Sequence, residues 1–220
     1  ISEQLSRQER ENEILKKAYK KWGFDMAEHF HGMFAFALWD EENQQLFCLR
    51  DHFGTKTFYY YVTADGKLLC GTTIRSIMEQ EGFVKELNEE LLQIYMSLTY
   101  VAGEDTFFKG VKKLMPGHYL VWKNGKMEIT RYWKPTFKPD ESKSLEDWAE
   151  EIHSTFKAII PEVKTADETA ESFLSGGVDS SYVLAMTDVE ACNSCGYDDE
   201  RFDESGLAKQ TADILGRKFN

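Results

Sequence analysis

Hydrophobic and polar positions along the first part of the chain follow two periods, one typical of helices and one typical of strands. Residues 11–22 carry apolar side chains at helical spacing, and residues 25–30 predict a second, short helix. Apolar and aromatic blocks separated by turn residues then predict a series of strands. These strands are expected at residues 32–40, 45–50, 58–62, 67–71, 118–122 and 127–133, with helices at 74–80 and 88–99 between them.

Three short signals add detail to this β-rich part. The run over 32–40 is apolar on both faces, which is typical of a strand buried between two layers. Asn124-Gly125 separates the last two strands and is a strong signal for a two-residue hairpin. Asn88 is the expected cap of the helix over 88–99. We therefore expect a strand-rich domain with flanking helices.

The composition changes at residues 134–140, where two prolines and few apolar residues predict a linker. A capping box at 144–147 then begins a helix, and the alternation of strands and helices that follows predicts a parallel α/β sheet. We therefore expect two domains, at residues 1–137 and 138–220. The first helix after the linker has one apolar stripe, formed by Leu145, Trp148, Ile152, Phe156 and Ile159.

Length and charge restrict the kind of protein and partner. With 220 residues the chain can form one large or two small domains. A net charge of −12 and an isoelectric point near 4.9 argue against nucleic acid or an anionic membrane as the main partner. No apolar run approaches the length of a membrane span, so we expect a soluble cytoplasmic protein.

The four cysteines do not have the pattern of a secreted, disulfide-rich protein. Cys48 and Cys70 lie in strand-like runs and are expected to be small buried residues. Cys192 and Cys195 form a C-x-x-C pair, but no second Cys or His pair follows them. We therefore expect a buried strand there rather than a zinc or redox site.

The strongest chemical signal is the sequence Leu-Ser-Gly-Gly-Val-Asp-Ser-Ser at 174–181, between a short apolar strand and a helix. Glycines allow a tight turn and close approach to a ligand, and the first amides of a helix attract an anion. Asp179 can hold a divalent cation. These parts predict a site for a polyphosphate with Mg²⁺, formed by Ser175, Gly176, Gly177, Asp179, Ser180 and Ser181.

An ordinary capped turn is the structural alternative for this loop. Two glycines, an aspartate and three serines within seven residues after a strand favour phosphate binding. The loop does not match a Walker A sequence. Residues 66–73 have the glycine spacing of that motif but a threonine in place of its lysine, so we interpret them as the end of a strand.

Several motifs resemble those of glutamine-dependent, B-type asparagine synthetases, and they occur in that family's order. The loop at 174–181 resembles the pyrophosphate loop of the N-type ATP pyrophosphatases. The other matching segments are Gly-Met-Phe-Ala-Phe-Ala at 32–37, Arg-Asp-x-x-Gly-x-Lys at 50–56 with Tyr59-Tyr60, Thr-Phe-Phe-Lys-Gly-Val at 106–111 with 116–118 and Tyr132-Trp133, and Phe-Asp-Glu-Ser at 202–205.

The resemblance implies an α+β, Ntn-hydrolase-like (αββα) glutaminase domain, incomplete at its N-terminus. It is followed by the start of an α/β, Rossmann-like ATP pyrophosphatase domain. The implied reaction makes asparagine from aspartate with glutamine or ammonia and ATP, through β-aspartyl-AMP, releasing AMP and pyrophosphate. A homodimer is compatible with it. ATP would contact Leu174, Val178 and Cys195 besides the loop residues above, and Asp179 would contact Mg²⁺.

The chain also departs from the family pattern. The family's N-terminal cysteine nucleophile is missing, because the chain begins with Ile1 and its first cysteine is Cys48. Glu11 stands about where the family has a glutamine-binding aspartate, but the match is inexact and no role is carried over to it. Thr72-Thr73 replaces the Ser-Glu pair that the family usually has before the next helix. We therefore expect an internal piece of a longer enzyme that does not hydrolyse glutamine by itself. The alternatives are a β-lactam-synthetase-like or peptide-cyclising relative that adenylates another acid, and a non-catalytic nucleotide-binding chain.

Overall fold

The computed structural model describes residues 6–163 and 170–220 and divides the chain into two compact units, Ile1–Phe137 and Lys138–Asn220. The first unit contains helices α1 (Arg7–Trp22), α2 (Ile74–Met78) and α3 (Leu92–Leu98), with 3₁₀ turns at Gly23–Glu28 and Glu89–Leu91. Its strands are β1 (Ala35–Asp40), β2 (Gln45–Arg50), β3 (Tyr59–Val62), β4 (Leu68–Gly71), β5 (Lys112–Lys113), β6 (His118–Lys123) and β7 (Lys126–Arg131).

Helix α1 begins four residues earlier than its apolar pattern predicts, because a capping box fixes its start. The Ser6 hydroxyl accepts a hydrogen bond from the Glu9 amide (3.3 Å), and the Glu9 carboxylate accepts one from the Ser6 amide (2.8 Å). Lys20 and Lys21 lie in the last turn, where positive charge favours the helix dipole. The cap and the dipole therefore define both ends of a helix whose first turn is wholly polar.

The strands of this unit form two antiparallel sheets. The first has the order β1-β2-β6-β7 and the second has the order β4-β3-β5. The hairpin between β6 and β7 turns at Asn124 and Gly125, whose φ angles of 52° and 71° are those of a type I′ turn. The hairpin predicted from Asn-Gly is confirmed.

The two sheets pack face to face between two helical layers. Phe47 and Leu49 of β2 point to α1 and the following 3₁₀ turn, whereas Cys48 between them points to Tyr60 of the second sheet. Ile77 of α2 packs on the outer face of that second sheet. Side chains of a strand alternate between faces, so β2 alone contributes to two cores. The order of layers is helix, sheet, sheet, helix.

The chain leaves the first sheet at Arg50 and returns to it at Gly117, and the two ends of this long excursion are tied together. The Gly117 amide donates to the Asp51 carbonyl (3.0 Å), and the Arg50 guanidinium donates to the Leu114 carbonyl (2.5 Å). Burial would raise the pKa of Asp51, but hydrogen bonds from the amides of Lys56 and Thr55 (2.9 Å each) hold it below its usual value. Arg50, Asp51 and Gly117 thus form a narrow polar connection, called the neck below, where the chain passes from the first sheet to the second and back.

Two predictions for this unit are wrong. The strand expected over 32–40 begins only at Ala35 and is not buried on both faces, since Trp39 is 50% exposed. The reason is that β1 is an edge strand, paired with β2 alone. The helix expected over 88–99 is a 3₁₀ turn followed by α3, and the Asn88 side chain makes no capping hydrogen bond.

The second unit contains α4 (Leu145–Val163), β8 (Ser172–Phe173), α5 (Val178–Met186), β9 (Ala191–Asn193), α6 (Ser205–Ile214) and β10 (Lys218–Phe219). Its strands are parallel, in the order β10-β9-β8, as the alternation of elements predicts. The predicted capping box is present, because the Ser144 hydroxyl accepts from the Asp147 amide at 3.1 Å. No helix in the described parts of the chain is long and apolar enough to cross a membrane. The buried core of this unit comprises Leu174, Leu184, Val189, Cys192, Ala208 and Ala212.

Candidate functional site

The loop predicted to bind phosphate connects β8 to α5 in the second unit. Leu174 follows the strand directly, its amide donates to the Asn193 carbonyl (2.9 Å), and its side chain is buried in the core. Gly176 has a φ of 82°, and a Cβ there would lie 2.9 Å from the Leu207 Cβ and 3.1 Å from the Ala208 amide nitrogen. Only glycine fits here, because the loop lies against the start of α6.

The structure brings the three predicted serines together around this turn. The Ser175 and Ser180 hydroxyls are 3.0 Å apart, and the Ser175 amide donates to the Ser180 hydroxyl (3.2 Å). The Gly177 amide donates to the Ser175 hydroxyl (3.3 Å), and the Ser181 hydroxyl donates to the Gly177 carbonyl (2.8 Å). These bonds hold a ring of hydroxyl groups at the N-terminus of α5.

No side-chain hydrogen bond caps the N-terminus of α5. The cap position is Gly177, whereas α1 and α4 are preceded by Ser6 and Ser144, whose hydroxyls accept hydrogen bonds from amides of the first turn. The first amide bonded within α5 is that of Ser181, which donates to the Gly177 carbonyl (3.1 Å). The amides of 178–180 are those that a helix leaves without internal partners, and together with the helix dipole they favour an anion.

Asp179 lies in the first turn of α5 with its carboxylate exposed. Within the described ranges, no three His, Cys, Asp or Glu residues are grouped so that they could hold a metal ion. Mg²⁺ is commonly held by one or two carboxylates together with the phosphates of a substrate, so a single exposed carboxylate fits that kind of site. Val178, also predicted here, has an apolar side chain that is 85% exposed.

A cavity of about 340 Å³ adjoins the loop, and Cys195, which the resemblance suggests as an ATP contact, is one of its lining residues. However, the expectation that the whole Cys192–Cys195 pair is a buried strand is wrong. Strand β9 ends at Asn193, so Cys192 is buried and Cys195 is exposed beyond the strand end. The cavity is lined by Phe173, Leu174, Ser175, Ser180, Asn193, Ser194, Cys195, Tyr197, Phe202 and Glu204.

Sequence reasoning missed Tyr197, Phe202 and Glu204 as lining residues of this cavity. Their positions follow from topology, because the carboxyl ends of parallel strands meet at one edge of a sheet. Residues after β9 therefore lie beside the loop that follows β8. Glu204 adds a second carboxylate near the loop, so a polyphosphate would need a cation to bind there.

The first unit has a separate cleft of about 620 Å³ between α1 and β1. Glu11, His31 and Lys56 line it together with Thr72 and Thr73, and most of its other lining is apolar. From the sequence, neither Glu11 nor the Thr-Thr pair has an assigned role. A cleft of this size with one carboxylate and one ammonium group suits a small zwitterionic molecule.

Two protein families match the chain, one in each unit. The glutamine amidotransferase domain family matches residues 2–133. The asparagine synthase family matches residues 151–219. The second match includes the loop at 174–181 and the cavity beside it.

Curated relatives combine the two matching segments. A putative glutamine-hydrolysing asparagine synthetase of Mycobacterium bovis and asparagine synthetase 1 of Bacillus subtilis are each 30% identical, over 94% of this chain and 33% of their own length. A protein of Gibberella zeae named amidase chry2 is 32% identical, over 93% of the chain and 33% of its own length. The chain thus spans about a third of the length of these relatives.

Proposed function

We propose, because this chain belongs to the glutamine amidotransferase domain family and its second unit matches the asparagine synthase family, that the protein makes asparagine from aspartate. Glutamine or ammonia would supply the nitrogen and ATP would supply the energy. The reaction would proceed through β-aspartyl-AMP, with release of pyrophosphate and then AMP. The observation that carries this proposal is the uncapped N-terminus of α5, surrounded by serine hydroxyls, beside a cavity at the ends of parallel strands.

The second unit would bind ATP. The hydroxyls of Ser175 and Ser180 and the amides of 178–180 would contact the pyrophosphate part, where an anion complements the helix dipole. Leu174 and Cys195 border the cavity that would take the adenosine part. Asp179 would hold Mg²⁺, which neutralises phosphate charge when it is bound.

These contacts are suited to the chemical step. When the aspartate side-chain carboxylate attacks the α-phosphorus of ATP, negative charge accumulates on the departing pyrophosphate. Donors that are already oriented lower the barrier most, because they need not reorganise during the reaction. The hydrogen bonds among Ser175, Gly177 and Ser180 keep the loop in one conformation before the substrate arrives. The chain would thereby provide a preorganised site for the leaving group.

The first unit would be an Ntn-type glutaminase domain. Its order of layers, helix–sheet–sheet–helix, and the cleft containing Glu11 and Lys56 support this assignment. In that cleft the ammonium group of glutamine would face Glu11 and its carboxylate would face Lys56. Ammonia for the second step would come from this domain.

Nucleotide binding can be tested on the chain directly. Titration calorimetry with Mg·ATP should detect binding that Asp179→Asn weakens by roughly tenfold or more, the effect of losing one strong charged contact. Asp213→Asn is the matched control, because Asp213 is an exposed acid of the same unit that pairs with Lys209 on α6. Equal affinities of the two variants would contradict the assigned role of Asp179.

The reaction is tested by AMP formation in the intact protein with Mg·ATP, ammonia and one carboxylic acid at a time. Of the acids compared, only aspartate should support AMP release, with asparagine formed in equal amount. Replacing ammonia by glutamine in the same assay then tests the first unit. The relative named an amidase motivates the comparison with other acids. ATP turnover that does not depend on aspartate would exclude asparagine synthesis.

A further inference from the structure

Three aromatic residues line the cavity beside the loop at 174–181. Phe173 is the last residue of β8, and Tyr197 and Phe202 lie in the connection between β9 and α6. They are 78%, 63% and 65% exposed, respectively. Single exposed aromatic residues are common on protein surfaces, but three that border one cavity form an apolar patch of the kind that binds a ligand.

The connection between β9 and α6 is closed at its base by the side chain of Asp203. Its carboxylate accepts hydrogen bonds from the Ser205 amide (3.1 Å) and the Ser205 hydroxyl (3.0 Å). The same carboxylate lies close to Gly196, where a Cβ would be 3.6 Å from the Asp203 Oδ1. The residues just inside this closure are Tyr197 and Phe202. Their backbones are therefore held near each other at the edge of the cavity.

A second set of contacts supports the Phe202 ring. The Arg201 guanidinium lies over that ring, 5.6 Å from its centroid, and such a contact is attractive. The guanidinium also donates two hydrogen bonds to the Asp199 carboxylate (3.0 and 2.7 Å). The Phe202 amide donates to the Asp199 carbonyl (2.9 Å). Phe202 therefore has partners that hold its ring in place before a ligand binds.

A flat aromatic ring is the ligand group that suits this lining. The cavity measures about 340 Å³, and the loop forms one side of it through Ser175 and Ser180. Aromatic side chains stack on nucleobases, because every base presents a flat π-face. A molecule that places phosphate groups on the loop and a flat ring among the aromatic residues is a nucleotide.

We propose that Tyr197 and Phe202 hold the base of the nucleotide by stacking, and that they give the site its preference for nucleotides over simple polyphosphates. This inference rests on the proposed function, which assigns ATP to the second unit. It adds two residues to the contacts that the resemblance implies. Of those contacts, Leu174 is buried in the core, so its side chain offers little surface to a base. The exposed aromatic rings provide that surface.

The expected effect of losing one ring follows from the strength of base stacking. Removing an aromatic side chain on which a base stacks lowers the affinity for that base by roughly 5- to 150-fold. Tyr197→Ala and Phe202→Ala should each weaken Mg·ATP binding within this range. Tyr197→Phe should keep the affinity, because the ring remains and only the hydroxyl is lost.

The test compares Mg·ATP with Mg·tripolyphosphate on the whole chain by titration calorimetry. Tripolyphosphate has the same chain of phosphates without the ribose and the base. Both alanine variants should lose affinity for ATP and keep their affinity for tripolyphosphate. Trp148→Ala is the matched control, because Trp148 is a partly exposed aromatic residue of the same unit that is not among the residues lining the cavity. This control should bind both ligands as the wild type does.

A fluorescent analogue reports stacking directly. The triphosphate of 2-aminopurine riboside loses fluorescence when its base stacks on an aromatic ring. Saturating wild-type protein should quench the analogue, and saturating Tyr197→Ala should quench it less. A change in the shape of the loop would alter the affinity but not the quenching at saturation, so this measurement separates contact with the base from a structural effect.

The possible results separate this inference from the proposed function. Equal affinities of the wild type for ATP and tripolyphosphate, or ATP affinities unchanged in both alanine variants, would overturn stacking. An equal loss of both ligands in the variants would assign the two residues to the structure of the loop and would overturn it as well. Failure of the wild type to bind either compound would refute the nucleotide site itself, and this inference with it.

Discussion

Replacing Gly176 by alanine tests whether the phosphate loop depends on its contact with α6. Gly176 combines a φ of 82° with a close neighbour, since a Cβ would lie 2.9 Å from the Leu207 Cβ and 3.1 Å from the Ala208 amide nitrogen. Gly177, the next residue, has a φ of −73°, and a Cβ there would meet only the Ser175 hydroxyl at 3.4 Å. A side chain should therefore be disfavoured at 176 and tolerated at 177, although the two glycines are adjacent in one loop.

The expected loss of stability follows from these two terms. A side chain in the left-handed region costs about 1–2 kcal/mol. Displacing a backbone neighbour to relieve an overlap of this size costs about 1–3 kcal/mol. Gly176→Ala should therefore lower the free energy of unfolding of the second unit by about 2–5 kcal/mol. Gly177→Ala should cost no more than about 1 kcal/mol, the difference between glycine and alanine as N-caps.

Urea unfolding followed by hydrogen–deuterium exchange measures this effect, because peptides from 138–220 report the second unit separately from the first. The slope of the transition with urea should stay the same in both variants, so that the midpoint alone gives the change. Mg·ATP affinity should fall with Gly176→Ala, since the amides of 178–180 move with the loop. Equal midpoints for Gly176→Ala and Gly177→Ala would refute the reasoning.

Three further predictions concern the first unit. Burial and the neighbouring His31 lower the pKa of His52, so the unfolded chain takes up the proton first and stability should fall as the pH drops from about 7.5 to 5.5; pH-dependent thermal unfolding should show a smaller loss in His52→Gln. Asp51→Asn should destabilise the unit by about 1–3 kcal/mol in urea unfolding, because a buried carboxylate that accepts two amide hydrogen bonds is replaced by a neutral group. Leu120→Ala should cost about 2–5 kcal/mol in the same assay, whereas Ile129→Ala, at a position 38% exposed, should cost much less.

Local signals in the sequence predicted local structure well. Gln45–Arg50 forms a strand at the predicted residues, Asn124-Gly125 forms the hairpin turn, and Ser144 begins its helix as expected. In each case the responsible interactions lie within a few residues of one another. The turn of the glycine–serine loop and the helix that follows it belong to the same class, whereas the need for glycine at 176 comes from the contact with α6.

The predictions that failed concern features that depend on contacts between residues far apart in the sequence. Trp39 is half exposed because β1 has one neighbouring strand, and the apolar run around it cannot show which strand is missing. Cys195 lies beyond its strand because β9 pairs with only two residues of β8 and two of β10. Tyr197 and Glu204 line a cavity through the order of strands, which no single segment encodes. Packing of separate segments was therefore the part that the sequence alone could not provide.

The neck formed by Arg50, Asp51 and Gly117 makes the second sheet an insertion within the first. Strands β2 and β6 are neighbours although the whole β3–β4–β5 segment separates them along the chain. Hydrogen bonds at the neck hold the two ends of that segment together. The entropy of closing such a loop grows only slowly with its length. Added residues at the surface of the inserted segment, for example in the turn at Asp65-Gly66, should therefore leave the first sheet intact. Loss of the hydrogen bonds at the neck, by contrast, would separate the β1–β2 hairpin from the β6–β7 hairpin. These two hairpins come together late in folding, because β2 and β6 can pair only after the intervening chain has folded back.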